Sequence, residues 1–450
     1  MANATASDFT SGRVPTQLAS FAWPLILANF LQTIHGVTDV FLAGRLIGKS
    51  AMSAVTIGGQ STLFLITFSL GLSAGGQILI AQLKGAGQAE EQGRAMGTLF
   101  TLSLLVGLIT ALLGFFAAHP VLRLLQTPEE VFADALQYMR ITALGLPFVF
   151  LVNAVNGALR GLGKSRPPLL FAAVAAGLHA GLGFLFVGVW TMGLWGAALS
   201  AVAAQGIAAL LGVCVLFAGH RGLPFRFRLR TFFPTPKKLL QVLKIGFPFG
   251  VQMGLLNLSN LFIIRLVSPH GIAAAAALGT GSRVTNLLTV PMMAIGNGAS
   301  TMVGQNLGAD KQTRAVSAIR WALTYTLAFV SVTTAVTLLF PLPLLRLFTD
   351  DGEVIAIGVQ YITILTWGYF GHALHSSFNA GILGAGMTFH SLAATGLEAL
   401  IGRVALTWLF SIFWTLPGIF TAQAIAPYLA AALSAVFYLS GRWKQHKLLK

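Results

Sequence analysis

Of the twelve acidic residues in this 450-residue sequence, two lie inside long apolar runs, Asp39 and Glu398. An ionised side chain in a bilayer interior costs about 2.5 to 3.5 kcal/mol on insertion scales, so such acids are functional candidates by default. Asp39 closes a polar stripe in which Asn29, Gln32, His35 and Asp39 follow one another at spacings of three, three and four. That spacing places all four on one helical face. A face so polar should line a cavity among the helices of the first half rather than look at lipid. Burial favours the neutral form of a carboxylate, and His35, one turn away, is placed to share or relay its proton. An aspartate solvated at the outer end of its helix remains the plainer reading. Glu398 sits about ten residues into its own run, near mid-membrane by a rise of about 1.5 Å per residue. It either couples to an ion or substrate or pairs with Arg283 or Arg403, since an isolated buried carboxylate stays neutral or finds a cation. The polar residues Asn153, Asn156, His179, His372, His375, Ser376 and Asn379 are further cavity candidates, with interhelical hydrogen bonding as their ordinary role.

The elements that must hold these residues are membrane helices. Hydrophobic residues make up 56% of the chain, charged residues 9%, and the mean hydropathy is +0.79. An ordinary soluble domain carries about 25% charged residues. Spans of about 20 apolar residues are expected at 15–43, 51–82, 96–119, 131–159, 167–190, 193–218, 239–267, 271–304, 315–341, 354–383, 388–414 and 418–440. The net charge of +16 follows the connections instead of forming a nucleic-acid surface. Most Lys and Arg fall on one set of alternate connections, and the acidic clusters around Glu129 and Asp351 fall on the other. The positive-inside rule makes the basic side cytoplasmic, with both termini inside. No secretory leader is expected at the N-terminus. The single cysteine, Cys214, is expected to pack as a small buried apolar side chain. No phosphate-binding loop ending in Lys and Ser or Thr occurs, and no nucleophile and base pair suggests an enzyme.

The second half repeats the first at a nearly constant offset. Pro24 meets Pro248, Ala81-Gln82-Leu83-Lys84-Gly85-Ala86 meets Gly304-Gln305-Asn306-Leu307-Gly308-Ala309, and Gly161-Leu162-Gly163 meets Gly384-Ala385-Gly386. The expected fold is therefore all-α and membrane-integral: twelve transmembrane helices in two six-helix bundles, related by a pseudo-two-fold axis along the membrane normal. The expected parts are an N-terminal tail (1–14), a first bundle (15–218), a basic linker (219–238), a second bundle (239–440) and a basic tail (441–450). Two such bundles enclose a central cavity, and rocking gives alternating access.

These landmarks carry a resemblance. The early Pro24, the run Val37-Thr38-Asp39 followed by Ala43-Gly44-Arg45-Leu46, the two Gln-containing joints, and Leu159-Arg160-Gly161-Leu162-Gly163-Lys164 resemble the multidrug and toxic compound extrusion family over nearly the full length. The resemblance implies a twelve-helix exporter of amphipathic, often cationic, small molecules in exchange for protons or sodium ions. It also implies that the aspartate at Asp39 binds the coupling ion and governs substrate release. In one branch of that family an asparagine and, one turn on, an aspartate of the fifth helix complete a cation site; here His179 and Gly183 stand in those places. A sodium ion wants several hard oxygen ligands, so the proton is the favoured ion and sodium the alternative. Acids that another branch carries in its seventh and tenth helices are absent. No cofactor or metal is expected, and the partners are small-molecule substrates and membrane lipids, with the chain a monomer in a bacterial or archaeal inner membrane. A flippase for lipid-linked or polysaccharide precursors is the rival, kept open by Arg265, Arg283 and Arg403.

Overall fold

The computed structural model describes residues 8–218 and 229–446. Arg221, Arg226 and Arg228 of the expected linker, Lys447 and Lys450 of the C-terminal tail, and the first seven residues lie outside the described residues. Backbone groups in hydrocarbon must find their partners within the protein, and long helices do this locally. The chain accordingly runs through α1 (Val14–Leu42), α2 (Lys49–Gly85), α3 (Ala89–Leu124), α4 (Glu129–Leu144), α5 (Leu146–Gly161), α6 (Arg166–Gly183) and α7 (Gly193–Ala218). The second half follows as α8 (Pro236–Val267), α9 (Ile272–Gly308), α10 (Gln312–Leu339), the short α11 (Pro341–Arg346), α12 (Gly352–Gly384), α13 (Thr388–Gly396) and α14 (Thr407–Leu439). No strand occurs among the described residues.

Nine of the described helices are long and apolar enough to cross a membrane, and the pair α4 and α5, bent by 44°, makes a tenth span. The remaining two spans are there in other guises. The 37-residue α9 is long enough, but Arg283, Asn286, Asn297, Gln305 and Asn306 dilute its apolar character. The continuous run Thr388–Leu439 has 52 residues, whereas one span needs about 20. It breaks at Thr415, whose φ of 49° and ψ of −128° leave the helix two residues before Pro417. The twelve spans thus stand close to their expected bounds.

The repeat is visible in hydrogen bonds. After α2, the N–H groups of Ala86, Gly87 and Gln88 donate to the carbonyls of Gln82, Lys84 and Leu83 at 3.0, 3.1 and 3.0 Å. After α9, at the paired positions, Ala309, Asp310 and Lys311 donate to Gln305, Leu307 and Asn306 at 3.1, 3.2 and 2.8 Å. The joint needs one left-handed residue, supplied by Gly87 (φ 69°) and by Asp310 (φ 60°), two residue types that tolerate that conformation well. Helix contacts repeat as well. A Cβ on Gly161 would lie 2.6 Å from the Gln77 carbonyl oxygen, and one on Gly384 would lie 2.7 Å from the Ser300 carbonyl oxygen.

The chain forms two compact units, one of 1–8 and 27–250 and the other of 9–26 and 251–450. The borders fall inside α1 and α8 rather than in the expected 219–238 linker. Pro24 and Pro248 lie inside these two helices, each close to a border. Proline removes an intrahelical hydrogen bond and bends the helix where it stands.

Four expectations change. The stretch 1–14 is not wholly a free tail: Phe9 is fully buried in an apolar cluster with Leu18, Phe21, Met302 and Val303 of the second unit. Arg314 fastens it there by donating to the carbonyls of Phe9, Ser11 and Gly12. The C-terminal tail likewise sends Trp443 into the same cluster. Within the expected linker, Lys238 is buried and pairs with Glu91 at 2.9 Å. Finally, Cys214 is exposed on α7 rather than buried.

Candidate functional site

Four helices of the first unit meet around Asp39. Its Oδ1 lies 3.0 Å from His179 Nε2 on α6, and the two side chains are 13% and 0% exposed. The buried phenol of Tyr138 on α4 faces the same carboxylate. The His35 ring, one turn before Asp39 on α1, packs on the His179 ring with centroids 4.3 Å apart. Gln205 Nε2 on α7 lies 3.4 Å from His35 Nε2. An amide nitrogen only donates, so His35 Nε2 accepts and its proton sits on Nδ1. That Nδ1 and His179 Nδ1 are buried with no hydrogen-bond partner among the described residues.

The local backbone brings these groups together. α1 continues beyond Asp39 as a π-helical stretch, Ala43–Ile47, and α6 continues beyond His179 as another, Phe184–Val189. Such wide turns recur beside functional groups. Between them Gly183 packs directly on the end of the Leu42 side chain, so α6 comes close enough for His179 to reach Asp39. A side chain at position 183 would first have to move the end of Leu42 aside. The site therefore has one carboxylate, two imidazoles and a phenol, groups whose chemistry can hold and pass a proton.

His179, expected as a cavity candidate with interhelical hydrogen bonding as its ordinary role, makes such a bond, and its partner is Asp39. His35, expected as the relay, is a step further out. The stripe on α1 divides: Gln32 is exposed and Asn29 half-buried, and neither joins the cluster. Asn153 and Asn156 are buried in a helix joint, where Asn153 Nδ2 donates to Ser69 Oγ at 3.0 Å and Asn156 Oδ1 has no partner among the described residues. In the second unit Ser376 repeats this joint by donating to the Met292 carbonyl at 3.3 Å, and Asn379 repeats Asn156 down to its unpartnered Oδ1. His375 Nδ1 bonds Ser434 Oγ at 2.9 Å. Arg283 is exposed, and among the described residues it makes no ion pair with Glu398, which is 2% exposed. The ion-pair reading of Glu398 fails because the two side chains are held apart.

Comparison with known proteins agrees with this architecture. The MatE family profile matches residues 24–185 and again 248–409, so its two matches open on Pro24 and on Pro248, the same landmark of the repeat. The chain belongs to the MatE family of multidrug and toxic compound extrusion transporters. It is 29% identical over 443 residues to the probable multidrug resistance protein YpnP of Bacillus subtilis (strain 168), covering 98% of this chain and 99% of that one. It is 30% identical to a second B. subtilis protein, the probable multidrug resistance protein YoeA, over 79% of this chain and 78% of the relative. Its fold is similar to that of a MOP superfamily transporter from Pyrococcus furiosus, with a TM-score of 0.92 at 21% identity over the whole of both chains. As a MATE protein it is a multi-pass transporter and not an enzyme.

Two members of the transporter's site, Tyr138 and Gln205, are missing from the sequence reading. Gln205 left a signal, a lone amide in the apolar run of α7, and polar residues in such runs usually bond across helices. Tyr138 left none, because a tyrosine in a membrane helix is ordinary at an interface.

Proposed function

We propose that this MATE transporter is a secondary active exporter of amphipathic, often cationic, small molecules, driven by proton antiport with Asp39 as the coupling carboxylate. The Asp39–His179 hydrogen bond of 3.0 Å carries the reading. As an anion, Asp39 accepts from His179 and holds α1 to α6. Taking up a proton removes the charge that makes this bond strong, and the grip of α6 on α1 weakens. α1 is shared between the two units, with a border at Ile26 and Leu27 and Pro24 beside it. A change at Asp39 is therefore passed along one helix to a hinge next to the other unit, which is what alternating access requires.

Proton coupling is favoured over sodium by the donor set. An imidazole nitrogen of His179 meets Asp39 where a sodium ion would want further hard oxygens, and Gly183 supplies no second carboxylate. The Lys and Arg asymmetry supports an inner-membrane protein with both termini cytoplasmic. The relatives named as probable multidrug resistance proteins support drug-like cargo, carried by a monomer surrounded by lipid with no cofactor. In everted vesicles, Asp39→Asn should reach the membrane in normal amount and lose uncoupler-sensitive ethidium transport. Transport at the wild-type rate in that variant would end the proposal.

A further inference from the structure

The second unit holds one acid buried without a counter-charge in contact. Glu398 is 2% exposed, and among the described residues neither an ion pair nor a hydrogen bond reaches its carboxylate. It stands at the start of a π-helical stretch, Leu397–Leu406, between α13 and α14. Facing it from α12 are His372 and His375, each within its electrostatic reach. Arg403, five residues on in the same stretch, is also within electrostatic reach of His372 and donates to Ser259 Oγ at 3.4 Å. Tyr361 of α12 is within reach of Arg403 in turn.

The fold does not require this cluster. At the paired positions of the repeat, the first unit has Ala175 for Glu398, Val149 for His372 and Val152 for His375. The same helix frame thus carries three apolar side chains in one half and an acid and two imidazoles in the other. Taking an unpaired carboxylate out of water costs several kcal/mol when it is ionised, and apolar replacement of buried charge is often stabilising. A bound proton removes that cost. His375 is ready for either charge state: Ser434 Oγ lies 2.9 Å from its Nδ1 and the Ala430 carbonyl also bonds the ring. A hydroxyl oxygen donates to a neutral ring and accepts from a charged one, so the ring gains or loses a proton without breaking its attachment to α14.

We propose that Glu398, with His372 and His375 facing it, is a second proton-binding site, loaded independently of Asp39, so that each half of the transporter carries one proton per cycle. This rests on the proton-antiport reading given above. The test counts protons released when ethidium binds the purified full-length protein in weakly buffered detergent solution, followed with a pH indicator. Because proton and cargo binding are reciprocally linked, wild type should release about two protons per ethidium, and Asp39→Asn and Glu398→Gln about one each. Wild-type release from Glu398→Gln would overturn the second site, whereas wild-type release from Asp39→Asn would overturn Asp39 coupling instead. If the Gln variant is not recovered folded, Glu398→Asp serves: moving the carboxylate back from the histidines should shift the pH at which the second proton leaves. An unchanged release curve in that variant would equally overturn the proposal.

Discussion

The two halves of this MATE transporter share a backbone and differ in chemistry. The joints after α2 and α9 use the same three hydrogen bonds, and Gly161 and Gly384 meet the same carbonyl neighbours. At the titratable positions the likeness ends. In the repeat, Ile263 takes the place of Asp39 and Ser259 that of His35, and Gly402 stands opposite His179 in the register that sets Ala175 opposite Glu398. The first unit joins these places as a carboxylate, an imidazole and a stacked second imidazole. The second has the Arg403 guanidinium donating to the Ser259 hydroxyl, with its acid at Glu398. Turns and close helix contacts are constraints on the frame and recur wherever the frame does. Ionisable groups in a membrane interior are costly to every fold, so the frame alone does not call for them, and they differ between the halves.

This contrast can be strained from both sides. The largest effect should come from the leading segments, where Phe9 is fully buried and meets Phe21 edge-on at 5.1 Å. Its counterpart in the repeat, Phe232, is only half-buried against Phe217. Phe9→Ala should lower unfolding stability by about 3 to 5 kcal/mol, and Phe232→Ala by about half of that or less, in proportion to the area buried. Thermal unfolding in detergent measures both, and equal losses would mean that the segments are equivalent after all.

The next largest effect separates the two histidines of the first unit. His179→Ala removes the hydrogen bond to an ionised Asp39, a contact of about 1.5 to 3 kcal/mol. Initial rates of ethidium transport under a pH gradient should then fall by about 10- to 100-fold. His35→Ala removes a long hydrogen bond to Gln205 and a ring contact, and the same assay should show a loss of about threefold. The opposite ranking would return the relay to His35. The smallest expected difference between the halves tests the shared frame: Gly161→Ala and Gly384→Ala should each destabilise by about 1 to 3 kcal/mol. A difference between them larger than that range would show that the repeat is one of sequence more than of packing.

The contrast between the halves separates what a single segment dictates from what packing decides. Span positions, the paired joints and the choice of Asp39 as a candidate follow from apolar run length, from turn residues that recur in register, and from the cost of a buried charge. These are properties of one segment at a time. The partner of Asp39 is not such a property. Helical spacing puts His35 on the same face of α1, but only the approach of α6 through Gly183 decides that His179 reaches the carboxylate. Glu398 and Arg283 looked like a pair because both are charged and intramembrane, yet the packing of α9 leaves Arg283 exposed. Phe9 and Trp443 were hidden for another reason, since each is one aromatic residue in a polar stretch too short to show a period.

The central claim is that the carboxylate and histidine of the first unit make export run on protons. Ethidium accumulation in proteoliposomes tests it directly, with an imposed pH gradient in one set and an equal sodium gradient at uniform pH in the other. The pH gradient alone should drive accumulation, collapsing with an uncoupler. Accumulation driven by the sodium gradient and indifferent to pH would contradict the account.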